Sequence, residues 1–460
     1  MTDDTDLLVV GGGPGGYHAA IRAAQLGLDV TCVDKGSFGG VCLHWGCIPS
    51  KGLIGMGKLV DEIREWSERG LEASDLEVDL AETQEWKQGQ IDQLARGVKH
   101  LMSSRGVDVR EGTVRLTGEN EATIDGEPIT FDQALIATGS SPIELPHIPF
   151  DGETVLGSRE ALALEEPPES LAVIGGGFIG LEIGQFYEQL GADVTVVEML
   201  DSVLPTADDD LGEELGRQLT KRGLTVHTQT EATDADVSDD GVRLSLDGPK
   251  AEQLEAEKLL VAVGRQPNTE GIGLAKAGVE TEDSGHIAVD DQMRTSNDDI
   301  FAIGDTVPGP ALAHKASHEG IHAAAVAAGQ DHVVVDYRAI PWFCYTTPEV
   351  AGVGLTEEEA RSQHEDPIVE QFPFAALGKA KMSGHTDGWA KVIARQDGAL
   401  LGVQLVGPDA TNLVAEPALA IEMGATLTDV AETVHAHPTL AEVFLEAAEA
   451  AQGHPVHVSK

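Results

Sequence analysis

A glycine-rich turn between an apolar segment and a helix-like segment constrains the fold of this chain more than any other feature. Residues 7–10 are apolar, the helix-like stretch runs to Leu26, and a second apolar run at 30–33 ends in Asp34. The glycines of the turn match GxGxxG and are Gly11, Gly13 and Gly16. In such a unit the glycines permit the turn, the approach of a pyrophosphate to the helix N-terminus, and close helix–strand packing. We therefore expect a dinucleotide site, with the terminal carboxylate accepting hydrogen bonds from a ribose.

The same unit returns 164 residues later. A predicted strand at 171–174 is followed by a turn, a helix-like stretch to Leu190, a strand at 194–197 and the acid Glu198. The glycines of this second turn are Gly175, Gly177 and Gly180. Both units span 23 residues from first glycine to acid, and both contain QLGxDVTxV. One GxGxxG is a weak signal, but two in register with these flanks predict two dinucleotide sites.

Two dinucleotide sites on one polypeptide indicate electron transfer between the bound molecules. Hydride passes readily between a flavin and a nicotinamide ring, so we expect one bound flavin and one nicotinamide nucleotide. A chain that used a pyridine nucleotide alone would need only one such site.

Two of the four cysteines follow the first unit and stand five residues apart. Cys42 and Cys47 lie in GGVCLHWGCIPSK at 39–51. Near a flavin, such a pair can cycle between disulfide and dithiol, with one thiol attacking a substrate and the other exchanging electrons with the flavin. The dipole at the start of a helix would favour the thiolate form.

Two other interpretations of this cysteine pair are open. Cys42, His44 and Cys47 could bind a metal, but a structural zinc site usually takes four ligands from paired clusters, and no second cluster is apparent. The pair could also be inert and buried. We expect no metal, and we expect Cys32 and Cys344, which lie in apolar runs, to be core residues.

The charge of the chain excludes several classes of protein. The sequence has 78 acidic and 30 basic residues, for a formal charge of −48. Binding to nucleic acid or to anionic lipid needs a basic face, so neither partner is expected. Self-repulsion of this size destabilises a compact chain in dilute buffer and is screened in molar salt. The composition therefore predicts a soluble protein adapted to a salt-rich cytosol, with an acidic protein of an ordinary cytosol as the alternative.

The sequence contains no recognisable targeting or membrane segment. The first six residues are rich in acids and lead straight into an apolar strand, so no signal peptide is expected. No run of 18 apolar residues occurs, and four cysteines are too few for a secreted disulfide framework. We expect a cytoplasmic protein.

The remaining patterns predict the fold class. Amphipathic helices are predicted at 58–69 and 83–105, and strands that run into turns are predicted at 134–140, 259–265 and 300–305. From about residue 340 the pattern changes to strands followed by Ala-rich helices. The expected architecture is α/β, with two Rossmann-like dinucleotide-binding domains and a C-terminal α+β domain.

The motifs together resemble those of the flavin-dependent pyridine nucleotide–disulfide oxidoreductases, over essentially the whole chain. The segments that carry the resemblance are GGGPGGYHAAIRAAQLG, GGVCLHWGCIPSK, ATGS, VIGGGFIGLEIG, VAVGRQPNT, AIGD, AHKASHEG and HAHPTLAE. The resemblance implies bound FAD, NAD, a redox-active disulfide and a homodimer. It also implies the domain boundaries: 1–145 and 273–338 for FAD, 146–272 for NAD and 339–460 for dimerisation.

The resemblance also implies roles for individual residues. Cys42 would exchange with substrate and Cys47 would lie nearest the flavin, while His437 and Glu442 would form an acid–base pair. The residues implied to bind FAD are Gly11, Gly13, Gly16, Asp34, Lys51 beside the ring, Gly139, Gly304 and Asp305 near the ribitol. Those implied to bind NAD are Gly175, Gly177, Gly180, Glu182 near the nicotinamide, Glu198 and Gly264. A histidine oriented by a carboxylate also suits a general base on chemical grounds.

Four positions depart from the pattern of the family. Val41 stands where threonine is usual, His44 and Trp45 replace asparagine and valine, and Ala441 replaces serine. None of these changes removes a reacting group, although they bear on flavin contacts, substrate access and thiol acidity.

The implied reaction is oxidation of a protein-bound dihydrolipoyl group with reduction of NAD. No segment precedes the first strand, so we expect the substrate on a separate lipoylated carrier, from a 2-oxoacid dehydrogenase complex or a glycine cleavage system. The alternatives are another flavin-dependent disulfide reductase and a non-catalytic flavoprotein subunit. A glutathione-type enzyme would favour NADPH, and a mercuric reductase would carry a C-terminal cysteine pair, which the tail at 453–460 lacks.

Overall fold

Two compact units make up the chain, each assembled from three separated segments. A computed structural model describes residues 3–73, 76–249, 252–330 and 334–458. The first unit consists of Met1–Leu53, Asp79–Ile143 and Gly264–Val335. The second consists of Ile54–Val78, Glu144–Val263 and Asp336–Lys460. None of the helices within the described ranges is both long and apolar enough to cross a membrane.

A mixed sheet with a parallel centre forms the core of the first unit. Its strands, in spatial order, are Asp108–Glu111, Val30–Asp34, Asp3–Val10, Glu127–Ile136, Glu121–Ile124 and Val114–Leu116, with Ile300–Ala302 paired to Glu127–Ile136. The central strands pair in parallel, with Leu7 opposite Val30. Leu7 and Val9 pack into one apolar cluster and Leu8 and Val10 into another. Both faces of the sheet are covered, which explains the continuous apolar run at 7–10.

Helices cover this sheet and carry the segment that contains the cysteine pair. The helices that begin in the first unit are Pro14–Gln25, Gly40–Trp45, Cys47–Ser67, Leu80–Ser104 and Ala313–Ala327. The helix predicted at 58–69 begins eleven residues earlier, at Cys47. Its first turns contain Pro49 and several glycines, which hid the helix from periodicity. Proline is tolerated in a first turn, and tertiary packing commonly overrides weak helix propensity.

A parallel sheet forms the centre of the second unit. Its strands, in order, are Thr225–His227, Asp193–Val197, Ser170–Ile174, Lys258–Val261 and Val155–Leu156. An antiparallel sheet accompanies it, with strands Glu231–Ser238, Gly241–Asp247 and Gln253–Ala256. The helices of this part are Ser158–Ala161, Phe178–Gln189 and Asp209–Arg222.

An antiparallel sheet with helices forms the C-terminal part of the second unit. The strands, in order, are Trp342–Cys344, Glu349–Gly354, Leu400–Gly407, Trp389–Ala394 and Ile368–Pro373. The helices are Glu357–Gln363, Gly378–Ser383, Ala410–Leu413, Ala415–Glu422, Leu427–Glu432 and Glu442–Ala451. The predicted fold class is confirmed: the protein is α/β, with two Rossmann-like units and a C-terminal α+β domain. The four domain boundaries remain a prediction.

Glycines end the strands that were predicted to run into turns. The strand Glu127–Ile136 stops before Gly139, whose φ is +69°. A short antiparallel ribbon then joins Ser140–Pro142 to Arg265–Pro267. The strands predicted at 134–140 and 259–265 therefore end earlier, at Ile136 and Val261, and a glycine with positive φ directly precedes each strand of the ribbon.

Candidate functional site

The first glycine turn has the geometry of a phosphate cradle. Gly11 has φ of +107°, and a Cβ there would collide with the carbonyl oxygen of Ala137. A Cβ on Gly16 would collide with the carbonyl oxygen of Gly11, whereas one on Gly13 would meet only Gly40 Cα, 3.9 Å away. The helix Pro14–Gln25 begins directly after this turn. Its free N–H groups and dipole favour a phosphate at that place.

The second glycine turn repeats this arrangement. Gly175 has φ of +109°, and its Cβ would collide with the carbonyl oxygen of Ala262. Gly180 faces the carbonyl oxygen of Gly175 in the same way, and a Cβ on Gly177 would meet nothing within 4 Å. The backbone thus leaves the same space for a pyrophosphate in both turns.

The acid at the end of each unit is tied to its own glycine turn. Asp34 accepts hydrogen bonds from the N–H of Gly12 at 2.8 Å and of Ser37 at 2.8 Å. Glu198 accepts from the N–H of Gly176 at 2.6 Å and of Leu200 at 2.8 Å. A carboxylate has about four lone-pair sites, so each acid can still accept bonds from a ribose.

The turn that carries Asp305 is held by a polar network that the sequence analysis did not find. Ser140 Oγ donates to Asp305 Oδ2 at 2.5 Å, and Arg265 Nε donates to Ser140 Oγ at 2.7 Å. Burial lowers the pKa of Arg265, while the charge of Asp305 opposes that shift. Arg265 follows Gly264, whose φ is +128°. The motif VAVGRQPNT contained this arginine, but nothing in the sequence paired it with Asp305.

The cysteine pair forms a disulfide in this structure. Cys42 lies on the short helix Gly40–Trp45, and Cys47 begins the helix Cys47–Ser67. A Cβ on Gly46 would lie 2.8 Å from the carbonyl oxygen of Val41, so a glycine is needed between the two helices. Lys51 follows one turn later on the same helix, half-buried.

The two cysteines outside the pair, and the histidine between Cys42 and Cys47, also have defined surroundings. Cys32 and Cys344 are both buried in strands, as expected for core residues. Burial, reinforced by the charge of Asp34, raises the pKa of Cys32 and keeps this thiol protonated. His44 Nε2 lies 3.0 Å from the carbonyl oxygen of Phe38. No group of three potential metal ligands occurs among the described residues.

Glu182 is fixed by the backbone of a neighbouring strand region. It is only 7 % exposed on the helix Phe178–Gln189, and its Oε1 accepts from the N–H of Tyr345 at 2.9 Å. One turn along, Gln185 exchanges two hydrogen bonds with the backbone of Thr347, at 2.9 and 2.6 Å. These bonds orient the face of the helix that follows the second glycine turn.

The histidine and acid near the C-terminus form the predicted pair. His437 Nδ1 lies 2.7 Å from Glu442 Oε1, and the N–H of Thr439 donates to Glu442 Oε2 at 2.8 Å. Partial burial opposes ionisation of Glu442, but the hydrogen bonds from Thr439 and His437 hold its pKa below the ordinary value. The His437–Pro438 peptide is cis. His435 pairs with Glu416 at 2.9 Å instead.

Comparisons with known proteins agree with this geometry. A family model described as pyridine nucleotide-disulphide oxidoreductase matches residues 5–320, and one described as the dimerisation domain of that group matches 340–448. The chain is 48% identical to a dihydrolipoyl dehydrogenase of Halobacterium salinarum, over 99% of this chain and 98% of the relative. It is 44% identical to a dihydrolipoyl dehydrogenase of Geobacillus stearothermophilus, over 99% and 98%. The crystal structure of LpdA from Mycobacterium tuberculosis superposes with a TM-score of 0.89 at 29% identity, covering 97% of this chain and 99% of that one.

Proposed function

The chain belongs to the pyridine nucleotide-disulphide oxidoreductase family, and from that premise we propose that it serves a separate lipoylated carrier protein. The enzyme is an FAD- and NAD-dependent oxidoreductase that oxidises dihydrolipoamide through a redox-active disulfide. The carrier would belong to a 2-oxoacid dehydrogenase complex or a glycine cleavage system. The observation that carries the proposal is the Cys42–Cys47 disulfide at the start of a helix, directly after the first glycine turn.

The two glycine turns fit the two cofactors. We assign FAD to the first turn, with Asp34, Lys51 and Asp305 toward its ribose, ring and ribitol. Gly139 and Gly304 belong to the same site. We assign NAD to the second turn, with Glu182 toward the nicotinamide, Glu198 toward the ribose, and Gly264. When bound, these cofactors supply the electron-accepting chemistry that restores the disulfide after each turnover.

Thiol–disulfide exchange explains how the cysteine pair acts on a dithiol. A substrate thiolate attacks Cys42 Sγ, the bond between Cys42 and Cys47 breaks, and Cys47 leaves as a thiolate. The second substrate thiol loses its proton and attacks the first substrate sulfur, which breaks the mixed disulfide and releases Cys42. The substrate loses two electrons and two protons and becomes a cyclic disulfide, while the cysteine pair holds the two electrons.

His437 is the group that we assign to proton removal from the substrate dithiol. Its Nδ1 is oriented by Glu442, whose pKa is held low enough to keep the carboxylate ionised near neutral pH. An ionised partner stabilises the protonated imidazole, as a general base requires. His437 itself is largely exposed in the single chain, with 75% of its side chain accessible.

Family membership supports the oligomeric state of the enzyme. The dimerisation domain at 340–448 indicates a homodimer. We propose that each active site combines the cysteines of one subunit with His437 and Glu442 of the other. We also propose a cytoplasmic location, and the boundaries 1–145 and 273–338 for FAD, 146–272 for NAD and 339–460 for dimerisation.

Reduction of the holoenzyme under anaerobic conditions tests this function. Dihydrolipoamide should bleach the yellow absorbance of the bound flavin and support NADH formation in molar KCl, and reduced glutathione and coenzyme A should do neither at equal concentration. Bleaching by glutathione in preference to dihydrolipoamide would replace the proposal with another disulfide reductase.

Cysteine variants identify the reacting sulfur atoms in the same assay. Cys42→Ser and Cys47→Ser should each abolish dithiol turnover, by about 10⁴-fold or more, because exchange needs both thiols. FAD should stay bound in both. Cys32→Ala is the matched control, since that cysteine is fully buried in the strand Val30–Asp34. Near-parental turnover in either active-site variant would refute the disulfide mechanism.

A further inference from the structure

A buried ion pair lies on the helix Ala313–Ala327, within the motif AHKASHEG. The side chains of Lys315 and Glu319 are both 0% exposed, and Lys315 Nζ lies 3.1 Å from Glu319 Oε1. The two residues are one turn apart on the helix, so they meet without help from another element. None of the residues assigned above to catalysis or cofactor binding belongs to this pair.

Both members of the pair contact the same residue of another segment. Lys315 Nζ donates to the carbonyl oxygen of Gly304 at 3.0 Å. The N–H of Gly304 donates to Glu319 Oε2 at 2.7 Å. The cation therefore holds the peptide group after Gly304, and the anion holds the one before it. Gly304 has φ of +71°, and a Cβ there would lie 3.1 Å from the Cβ of Ala316.

Asp305 directly follows Gly304 in the chain. The peptide group that Lys315 holds is therefore the one that joins these two residues. It lies in the 3-10 turn Gly304–Thr306, and its carboxylate accepts a hydrogen bond from Ser140 at 2.5 Å. With the preceding backbone fixed on both sides, the carboxylate of Asp305 has little freedom to change its direction.

The same helix also packs against the helix of the first glycine turn. A Cβ on Gly320 would collide with the carbonyl oxygen of Gly15, and a Cβ on Gly15 would lie 2.9 Å from the carbonyl oxygen of Ala316. One rigid element thus contacts both the phosphate cradle and the turn that carries Asp305. Those two places are where we assign the pyrophosphate and the ribitol of FAD.

Stability alone is a weak reason for such a pair. Burying two charges costs several kcal/mol per ion, and well-packed apolar residues of similar size are often equally or more stabilising. The pair is fully buried, and each of its members bonds to one peptide group of Gly304. Its arrangement is better explained by the geometry that it imposes on that glycine.

We propose that Lys315 and Glu319 are positioning residues for the flavin, which fix both peptide groups of Gly304 and so aim Asp305. This inference rests on the proposed role of Asp305 toward FAD. It predicts that loss of the pair weakens the hold on FAD beyond any general loss of stability.

The test measures FAD release from the holoenzyme in molar KCl, well below the melting temperature, by the recovery of free-flavin fluorescence. Lys315→Met should speed release by roughly 10- to 100-fold, the range expected for lost hydrogen bonds to a charged group. Glu319→Gln keeps an oxygen acceptor for the N–H of Gly304 and should give a smaller increase. The flavin absorbance band should shift in both variants, because a ribitol that is held differently moves the ring attached to it.

Lys391→Met is the matched control. Lys391 is also a buried cation, 1% exposed, and pairs with Asp208 at 3.0 Å and Asp210 at 2.5 Å in the second compact unit. Its removal should lower the melting temperature but leave the rate of FAD release unchanged. Equal acceleration of release in Lys391→Met would show that any buried pair matters, and would overturn the inference.

Asp305→Asn separates this inference from the assignment on which it rests. If Asp305→Asn speeds FAD release and Lys315→Met does not, the positioning role is wrong and the role of Asp305 stands. If Asp305→Asn leaves release unchanged, the assignment of Asp305 itself is wrong. Should Lys315→Met fail to fold, Glu319→Gln decides the matter, and an unchanged release rate and spectrum in that variant would overturn the inference.

Discussion

The two glycine turns have the same backbone conformation but lie in different surroundings. In each turn the first glycine has a positive φ and lies against the carbonyl group of an alanine, and the third glycine lies against the carbonyl group of the first. In each turn an acid also accepts a hydrogen bond from an N–H group within the turn. The first turn is walled by Phe38 and by Gly40, which lead into the cysteine helices. The second is bordered by Glu198 and Val203, and the space beside Gly177 is open. A repeated backbone motif therefore sets where a dinucleotide binds, and the segments around it set the chemistry.

The helices that follow the two turns differ in their packing too. The helix Phe178–Gln189 is buried along most of its length, including the polar Glu182 and Gln185. The helix Pro14–Gln25 buries only small residues, and Gly15 allows close contact with the helix Ala313–Ala327. The second unit thus offers a polar face fixed by hydrogen bonds, while the first offers a tightly packed platform.

Neither glycine turn contains the residue that we assign to acid–base catalysis. The prediction with the largest expected effect therefore concerns His437, which lies outside both turns. His437→Gln should lower kcat with dihydrolipoamide by about 10²- to 10⁴-fold, the usual contribution of a general base. FAD content and the Kd for NADH should match those of the parent protein, because neither cofactor cradle changes. His435→Gln is the matched control, since that histidine pairs with Glu416. A loss of turnover in His435→Gln as large as that in His437→Gln would contradict the assignment.

Subunit mixing extends this prediction to the homodimer. Cys47→Ser chains mixed with His437→Gln chains should regain about half the parental activity per heterodimer, because a two-fold interface leaves one site intact and one doubly damaged. The measurement is turnover after subunit exchange, with heterodimers proven by differential tags. Absence of recovery would place His437 in the same subunit as its cysteines, or outside the chemistry.

Replacing the third glycine of each turn with alanine should show which cofactor each turn binds. Gly16→Ala and Gly180→Ala each direct a methyl group at a backbone carbonyl. Gly16→Ala should purify with less FAD, whereas Gly180→Ala should stay yellow and show a KM for NAD raised about 10-fold or more, a cost of at least ~1.4 kcal/mol. Gly97→Ala, with nothing within 4 Å of the added carbon, is the control and should retain both cofactors. Loss of FAD in Gly180→Ala would mean that the two turns were assigned the wrong way round.

The acids at the ends of the two units should differ in what they select. Glu198 can bind a ribose 2′-hydroxyl and repels a 2′-phosphate, so we expect NAD to be preferred over NADP. Glu198→Gln should lower kcat/KM for NAD by about 10-fold, because the hydrogen bond from the ribose to a charged acceptor is lost. The preference for NAD over NADP should become smaller. Asp34→Asn should leave the NAD-to-NADP ratio unchanged. A parental protein with kcat/KM for NADP equal to that for NAD would refute this prediction.

Salt should affect both units alike, which makes it the weakest discriminator between them. The formal charge of −48 implies self-repulsion, and the Debye length falls to about 3 Å at 1 M salt. The melting temperature and the turnover rate should therefore rise together from low to molar KCl. Each kcal/mol gained shifts Tm by roughly 2–4 °C in domains of 150–250 residues. A flat melting temperature across that range would leave the acidic surface unexplained.

The parts of the fold that depend on local spacing could be predicted from the sequence. The glycine at position 11 must adopt a positive φ, and the acid that ends each unit stands 23 residues from the first glycine because a strand, a turn and a helix fill that interval. The cysteine pair was visible for the same reason, since its members are separated by only five residues. Helix boundaries were less accurate, because the glycines after Cys47 weaken the periodic signal although packing keeps the segment helical.

The sequence by itself determined that there are two dinucleotide units, a neighbouring cysteine pair and a histidine with an acid partner, because each is a local pattern. Only the tertiary structure decided which distant groups support them. Ser140 meets Asp305, Arg265 meets Ser140, and Tyr345 meets Glu182, and the members of each pair are more than a hundred residues apart in sequence. Lys315 and Glu319 could be read as an ordinary helical pair, and only their burial against Gly304 shows what they hold. Such contacts depend on how strands and helices pack, and no spacing along the chain records that packing.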